Sequence, residues 1–381
     1  MADALRPRAL IAGAGIAGLA AALALDKVGY RVAVFERARE LEEVGAGLQL
    51  SPNAIRALEA LGLAAELQSV GVAARDVTLR SGRTGAVLAR IPVEASDGTG
   101  YRSLHRAALQ AMLLRAVRSR ETIDLRLGAG LVDLTETERG VDLRFDGGEP
   151  ETASLFVAAD GVHSRAASRL GLKPPRHTGA TALRYLVRRP VEPTSPGIEA
   201  WLGPRRHAVS YPLGDGESCN LVLIQPEAQP DAKGFQNWNA ELRAGIDAGT
   251  ALGTWPILTV DARERMMPRR HVVFVGDAAH AMAPYAAQGA AMALEDAVVL
   301  AACVSSGVPL PASLSRFADL RRPRIARVMR RVAFHRLVYH LPTPLSLARD
   351  LALAQRSPTS LRADLAWLYD WMPPRLAPLR D

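Results

Sequence analysis

One stretch near the start constrains this chain more than any other. It runs Arg8-Ala-Leu-Ile-Ala-Gly13-Ala-Gly15-Ile-Ala-Gly18 and continues as Val32-Ala-Val-Phe-Glu36-Arg37. Residues 8–12 are an apolar run, and the glycines keep the spacing GxGxxG. Ile16, Leu19 and Leu23 recur at helical spacing, and Gly29 stands where a helix C-terminus would place it. The pattern predicts strand, tight turn, helix and a second strand over 31–35. Gly13 permits the turn, Gly15 lets a pyrophosphate approach the backbone, and Gly18 lets the helix lie close to the sheet. The helix N-terminus, with Ile16 and Ala17 in its first turn, offers free N–H groups and the positive dipole end to phosphate. Glu36 follows Gly18 where an acid can bind both hydroxyls of an adenosine ribose and disfavour a 2′-phosphate. A helix that merely carries glycines would not explain the flanking strand and the placed acid. Residues 9–25 are uncharged and could pass for a signal peptide or a short span. Their patterned glycines, the strand that follows and their length argue otherwise.

The length, 381 residues, accommodates one large domain or two interleaved ones. The two cysteines, Cys219 and Cys303, are far apart. That fits a reducing, cytoplasmic setting with no disulfide framework and no metal cluster. The net charge of +8 could serve nucleic acid, a membrane surface or anionic ligands. The arginines are spread widely and nucleic-acid motifs are absent, which favours a soluble arginine-rich enzyme that binds no nucleic acid and has no membrane span.

Arg37 and Arg39 are candidate partners for adenine or phosphate. The loop Gly45-Ala-Gly-Leu-Gln-Leu-Ser-Pro-Asn53 leads into a helix with Ala54, Leu58 and Leu61 on one face, and Gln49 is a candidate ligand contact. Residues 72–93 read as β-rich. Tyr101-Arg-Ser-Leu-His105-Arg106 is expected to open a helix bearing Leu109, Leu113 and Val117. Arg106 in a first turn opposes the dipole, which an anionic ligand would explain; a solvated arginine is the plainer alternative. Residues 123–127, 141–145 and 154–159 read as strands, the last ending in Asp160-Gly161-Val-His-Ser164, an Asp-Gly turn with a serine N-cap.

Pro174-Pro175 marks a junction, after which residues 177–260 read as an antiparallel sheet. Within it, period two puts His207, Val209 and Tyr211 on one face, with His207 and Tyr211 roughly 13 Å apart, either a pocket wall or an ordinary sheet face. A second dense block runs His271-Val-Val-Phe-Val-Gly276-Asp277-Ala-Ala-His280 through Gln288-Gly289-Ala290. Here a buried-type strand delivers Asp277 to its carboxyl end, suited to a polyol hydroxyl. The helix that starts near Gly289 suits a group gaining negative charge. Residues 312–340 form a basic helical stretch interrupted by Pro323, read as a solvated face. Trp367, Tyr369 and Trp371 are expected to pack the tail onto the body.

Together the GAGIAG block with Glu36 and Arg37, the Asp160-Gly161 block and the Gly276-Asp277 to Gln288-Gly289 block resemble the class A flavoprotein aromatic hydroxylases, the family of p-hydroxybenzoate hydroxylase. The GAGLQLSPNA loop, the His207–Tyr211 strand, the AAQGA turn and the Tyr/Trp tail are most similar to the salicylate, 3-hydroxybenzoate and 6-hydroxynicotinate branch. Ala287 departs from the glycine that many members carry there. The resemblance implies an α/β fold: a Rossmann-type FAD-binding domain (1–71, 94–175, 262–308), an interleaved antiparallel-sheet substrate domain (72–93, 176–261) and a C-terminal helical region (309–381). It implies that Gly13, Gly15, Ile16, Ala17 and Gly18 hold the FAD pyrophosphate and that Glu36, with Arg37, takes the ribose. Gln49, Arg106 and Leu131 fall at cofactor-lining positions. Asp160 belongs to a motif shared by FAD and nicotinamide binding, Asp277 takes the ribityl chain or pyrophosphate, and Gly289 and Ala290 face the isoalloxazine.

His207, Tyr211 and Gln288 match substrate-pocket positions, with His207 as general base. The implied activity is hydroxylation of a small phenolic or hydroxy-carboxylic aromatic by a monomer or homodimer. NADH or NADPH reduces the flavin, dioxygen adds at flavin C(4a), and one oxygen passes to the ring. Because only one GxGxxG is present, the nicotinamide would bind transiently. The alternative is another flavin oxidoreductase on this fold, a halogenase or reductase, although Trp255-Pro-Ile lacks the first tryptophan of the halogenase pattern.

Overall fold

A computed structural model describes residues 6–41, 47–188, 197–214, 217–229 and 231–379. Gly45 and residues 215–216 of the Gly214 turn lie outside the described residues. The chain begins β1 (Arg8–Ala12), α1 (Ile16–Lys27), β2 (Arg31–Glu36), β3 (Gly47–Leu50), α2 (Pro52–Leu61) and α3 (Ala64–Val70). Next come β4 (Val72–Ala74), β5 (Asp76–Ser81), β6 (Val87–Pro92), β7 (Tyr101–His105), α4 (Arg106–Arg118) and β8 (Ile123–Leu127). Then follow β9 (Leu131–Glu136), β10 (Val141–Phe145), β11 (Glu151–Ala153), β12 (Leu155–Ala158) and α5 (Arg165–Arg169). The middle of the chain is β13 (Arg176–Arg188), β14 (Ile198–Gly203), β15 (Arg206–Pro212), β16 (Ser218–Pro226), α6 (Ala240–Ala248) and β17 (Thr250–Thr259). The rest is α7 (Ala262–Arg265), β18 (Val272–Phe274), α8 (Asp277–His280), α9 (Gly289–Val304), α10 (Leu310–Tyr339), α11 (Leu345–Ala354), α12 (Pro358–Ala363) and α13 (Ala366–Tyr369).

The fold is α/β and its Rossmann-type part is a parallel sheet in the order β18-β12-β1-β2-β8. Leu10, Ile11, Val34, Phe156 and Val157 are buried, as strands covered on both faces require. Helix α1 is apolar around most of its circumference and buries all of residues 18–25, because it is covered by the sheet, α4 and α9. Gly13, Glu36, Asp160 and Asp277 all lie at or just beyond the carboxyl ends of these strands, where open α/β sheets hold ligands.

A second sheet runs β17-β13-β16-β15-β14-β5-β6, antiparallel except where β14 meets β5. Its register aligns Ala182, Ile224 and His207 in one row and Arg184, Val222 and Val209 in the next. Two three-stranded sheets, β11-β10-β9 and β3-β7-β4, complete the strands, so Val72–Ala74 pairs with β7 and not with β5 or β6.

Three expectations are corrected. Tyr101–His105 is a strand, held between β3 and β4, and the helix starts only at Arg106. Pro323 does not interrupt α10, which is continuous over Leu310–Tyr339. The basic stretch is also not simply a solvated face. Arg321 is fully buried and Arg324 nearly so, because α10 crosses α9 where Glu295 and Asp296 need cationic partners. The tail packs on the body: Arg56 donates to the carbonyls of Tyr369 and Trp371, and Arg327 lies 4.0 Å from the Trp367 ring centroid.

Candidate active site

The cofactor side of the site starts at the β1–α1 turn. Gly13 has φ +101°, and its amide donates to the Phe35 carbonyl. A Cβ on Gly13 would lie 2.4 Å from the Ala159 carbonyl oxygen, and one on Gly18 would lie 1.8 Å from the Gly13 carbonyl oxygen. A Cβ on Gly15 would meet nothing within 4 Å. The first and third glycines therefore serve the protein's own packing, and the second faces space left open. No side chain caps α1 and no acid sits in its first turn; the same holds for α9. Gly15, Ile16 and Ala17 of α1 and Gly289 and Ala290 of α9 line one cavity of about 350 Å³, together with Gln49, Arg106 and Asp277. Two uncapped helix N-termini aimed at one space, with an open glycine between strand and helix, fit a pyrophosphate and an electron-rich ring system.

Of the other expected cofactor contacts, Glu36, Arg37, Leu131 and Asp160 do not themselves line this cavity. Glu36 accepts hydrogen bonds from the Ala14 and Ala38 amides at 2.7 and 2.9 Å, which fixes its carboxylate beside the glycine turn. Arg37 is exposed next to it, packed beside Gly130 and hence near Leu131, which is half-buried in β9 and outside the cavity lining. Asp160 accepts from the Ala166 amide at 3.0 Å, while its Oδ1 is buried without a partner. Burial raises its pKa despite the hydrogen bonds from Ser164 and Ala166. Its neighbours Ala159 and Gly161 line the cavity.

The opposite wall is the second sheet. His207, Val209 and Tyr211 of β15 line the cavity as period two predicts, joined by Val222 and Ile224 of β16. Tyr211 is buried, and burial pushes its hydroxyl above the ordinary tyrosine range, so it remains a donor. His207 is only 1% exposed. Burial, then the neighbouring His340 and His335, holds its pKa well below the ordinary histidine value. It is thus neutral near pH 7 and disfavours holding a proton as a lasting charge.

Arg184 escaped the sequence reading. Its side chain reaches the same cavity from β13, its Nε is buried without a partner, and its guanidinium lies 5.3 Å from the Trp255 ring centroid. The available signal was a lone arginine inside Ala-Leu-Arg184-Tyr-Leu-Val, a cation in an otherwise core-type strand. Beyond the Pro284–Ala287 loop lies a chamber of about 90 Å³, which shares Gln49, His207 and Val209 with the first cavity. Tyr339, Tyr369 and Arg331 close it, so the C-terminal helices complete a site that begins at residue 13.

Gln288 does not join the cavity lining. It is buried; its Nε2 donates to Ser51 Oγ at 3.0 Å and its Oε1 accepts from Asn53 Nδ2 at 3.2 Å. Its amide is consumed in tying α9 to α2, which replaces the expected substrate contact. Ala287, just before it, has φ +51°, a left-handed conformation that glycine adopts without strain. Behind this junction Glu295 accepts from Asn53, Arg321 and Arg324, and Asp296 accepts from Arg321 and pairs with His280 at 2.6 Å. Burial alone would raise the Asp296 pKa, but His280 and Arg321 hold it below the ordinary range.

The profile of the FAD binding domain family matches residues 6–332. A 3-amino-4-hydroxybenzoate 2-monooxygenase of Streptomyces cremeus is 36% identical, over 95% of this chain and 94% of its own length. A 3-hydroxybenzoate 6-hydroxylase of Klebsiella oxytoca is 30% identical over 96% of both chains. Among solved structures, Klebsiella pneumoniae HpxO complexed with FAD and uric acid superposes with a TM-score of 0.84 at 23% identity, covering 95% of this chain and 96% of that one. The chain belongs to the FAD-binding-domain family and, within it, to the FAD- and NAD(P)H-dependent aromatic hydroxylases.

Proposed function

We propose that this enzyme hydroxylates a small phenol that also carries a carboxylate, of the hydroxybenzoate or aminohydroxybenzoate kind, with dioxygen as oxidant. The observation that carries this reading is one cavity with two uncapped helix N-termini on one wall and His207, Tyr211 and Arg184, whose Nε lacks a hydrogen-bond partner, on the other. FAD bound there supplies the redox chemistry and the activated oxygen. Gly15, Ile16 and Ala17 hold its pyrophosphate, Glu36 its ribose, Asp277 its polyol and Gly289–Ala290 its ring. Arg37, Arg106, Gln49, Leu131 and Asp160 flank these groups.

The protein's own chemistry is orientation and proton transfer. Arg184 pairs with the carboxylate: its buried Nε has no hydrogen-bond partner, and an anion at the cavity face of the guanidinium would supply one. Tyr211 donates a hydrogen bond to a substrate oxygen. His207 takes the phenolic proton, which makes the ring a stronger nucleophile toward oxygen. The apolar Val209, Val222 and Ile224 exclude water from the reacting face. The relatives' names support a carboxylated phenol: two are hydroxylases of benzoates bearing a hydroxyl. The enzyme works in the cytoplasm as a monomer or homodimer; its two cysteines, Cys219 and Cys303, are buried and not joined in a disulfide, which fits a reducing compartment. Among the described residues no helix is long and apolar enough to cross a membrane.

The test is a flavin absorbance spectrum of the purified protein, then NADH and NADPH oxidation in air with hydroxybenzoates, aminohydroxybenzoates and hydroxynicotinates. Flavin bands, together with stimulation by an aromatic acid that gains one oxygen by mass, support the reading. Stimulation only by larger or non-aromatic molecules overturns it.

A further inference from the structure

Resting on the reading of His207 as base toward a phenol, we propose that His207 and His340 form a proton wire that delivers the substrate's hydroxyl proton from the buried site to a separate surface cavity. Nδ1 of His207 lies 2.9 Å from Nε2 of His340, across 133 residues of sequence. That contact leaves His207 Nε2 and His340 Nδ1 without protein partners among the described residues. The two ends open onto different spaces. His207 lines the reaction cavity and the inner chamber, whereas His340 lines a third cavity of about 430 Å³ with Arg205, Arg336 and Leu337, all exposed. Water reaches the second end of the pair and scarcely reaches the first.

The surroundings oppose storage of the proton and favour its transit. Tyr285 packs against both imidazoles, with centroids 5.3 and 5.6 Å away, and Tyr339 packs on His207 at 5.4 Å. His335 stacks on Tyr339, and its Nδ1 is tied to the Tyr285 carbonyl at 3.0 Å. None of the residues lining the inner chamber or the third cavity is acidic, and Arg331, Arg205 and Arg336 stand near. An imidazolium formed at His207 would therefore be buried without an anion other than the substrate's own oxygen, and burial disfavours that charge.

The transfer balances as follows. The substrate O–H gives its proton to His207 Nε2, His207 Nδ1–H gives its proton to His340 Nε2, and His340 Nδ1–H releases its proton to water in the third cavity. Both rings end neutral with exchanged tautomers, and the substrate is left as phenolate. The same steps run backward when the product's oxygen takes a proton, which resets the tautomers. His340 is thus a positioning and relay residue that never touches the substrate.

The test uses the FAD-loaded full chain, with 3-amino-4-hydroxybenzoate and 3-hydroxybenzoate as probes. Ionisation of the bound phenol is followed by stopped-flow ultraviolet absorbance, beside probe affinity and the hydroxylation rate. His340→Gln and His340→Ala are expected to slow ionisation by about tenfold or more while probe affinity stays within about twofold. Free imidazole should restore His340→Ala, and pyrazole, of the same size but a far weaker base, should not. A wild-type ionisation rate in His340→Gln overturns the wire, as does equal rescue by imidazole and pyrazole, which would mean space-filling. Failure of the wild type to bind and hydroxylate either probe overturns the functional reading, and the wire falls with it.

Discussion

Arg321 donates from Nη1 to Glu295 Oε2 at 2.5 Å, and both side chains are buried. The pair sits just behind the first turns of α9, whose N-terminus faces the cofactor space. Removing only the cation leaves two carboxylates, Glu295 and Asp296, short of partners in the interior. Arg321→Met is expected to cost about 3–5 kcal/mol, the usual penalty for breaking a buried ion pair from one side. Chemical denaturation of the FAD-loaded and FAD-free protein measures it. A loss under about 1 kcal/mol would show that Arg324 and His280 carry the network alone.

Gly15 and Gly18 separate cofactor binding from folding. Gly18→Ala drives a methyl into the Gly13 carbonyl and should give little folded protein. Gly15→Ala meets no protein atom within 4 Å, so it should fold with a near-normal melting temperature. Its methyl would occupy the space of the pyrophosphate, and FAD affinity should fall by about tenfold or more, at least ~1.4 kcal/mol. Flavin titration beside thermal unfolding resolves the two effects. Unchanged FAD binding in Gly15→Ala would remove the pyrophosphate from that turn.

Arg184→Met tests the carboxylate anchor. A charge-assisted hydrogen bond is worth about 1.5–3 kcal/mol, so KM for a hydroxybenzoate should rise about tenfold to a hundredfold. NADH oxidation stimulated by the corresponding phenol without a carboxylate should change little. Equal losses with both probes would assign Arg184 to the cofactor or to the fold.

Acid should destabilise the protein through its histidines in a defined window. Burial lowers the His335 and His340 pKa values from 6.5 to about 4, and His207 lies well below the ordinary value too. Between pH 6.5 and about 4 the unfolded chain binds protons that the folded one refuses, so stability rises with pH there and is flat above it as far as these groups are concerned. Replacing His335 and His340 together with Gln should flatten the dependence of the urea midpoint on pH over that window. Superimposable curves would show that these imidazoles titrate normally in the folded protein.

Much of the site was legible in the sequence because its signals are local. A GxGxxG turn, an acid at the end of the next strand, an Asp-Gly turn with a serine cap and a period-two strand each state their geometry within a few residues. Hence Gly13, Gly15, Gly18, Glu36, Asp160, Asp277, His207 and Tyr211 stand out as candidates from the sequence alone. The partners of these groups were not legible. Nothing near residue 184 says that sheet register places its guanidinium in line with Val222 and Val209. Nothing near residue 321 says that α10 will press that arginine onto Glu295, or near residue 340 that an imidazole will meet His207. Gln288 shows the converse: its motif position was plain, but its amide is claimed by Ser51 and Asn53, over 230 residues earlier in the chain. Hydrophobic period and turn chemistry determine local conformation and which face is apolar. Whether a polar side chain on a helix or strand meets water, an ion pair or a ligand depends on which distant element packs over it, and only the tertiary structure decides that.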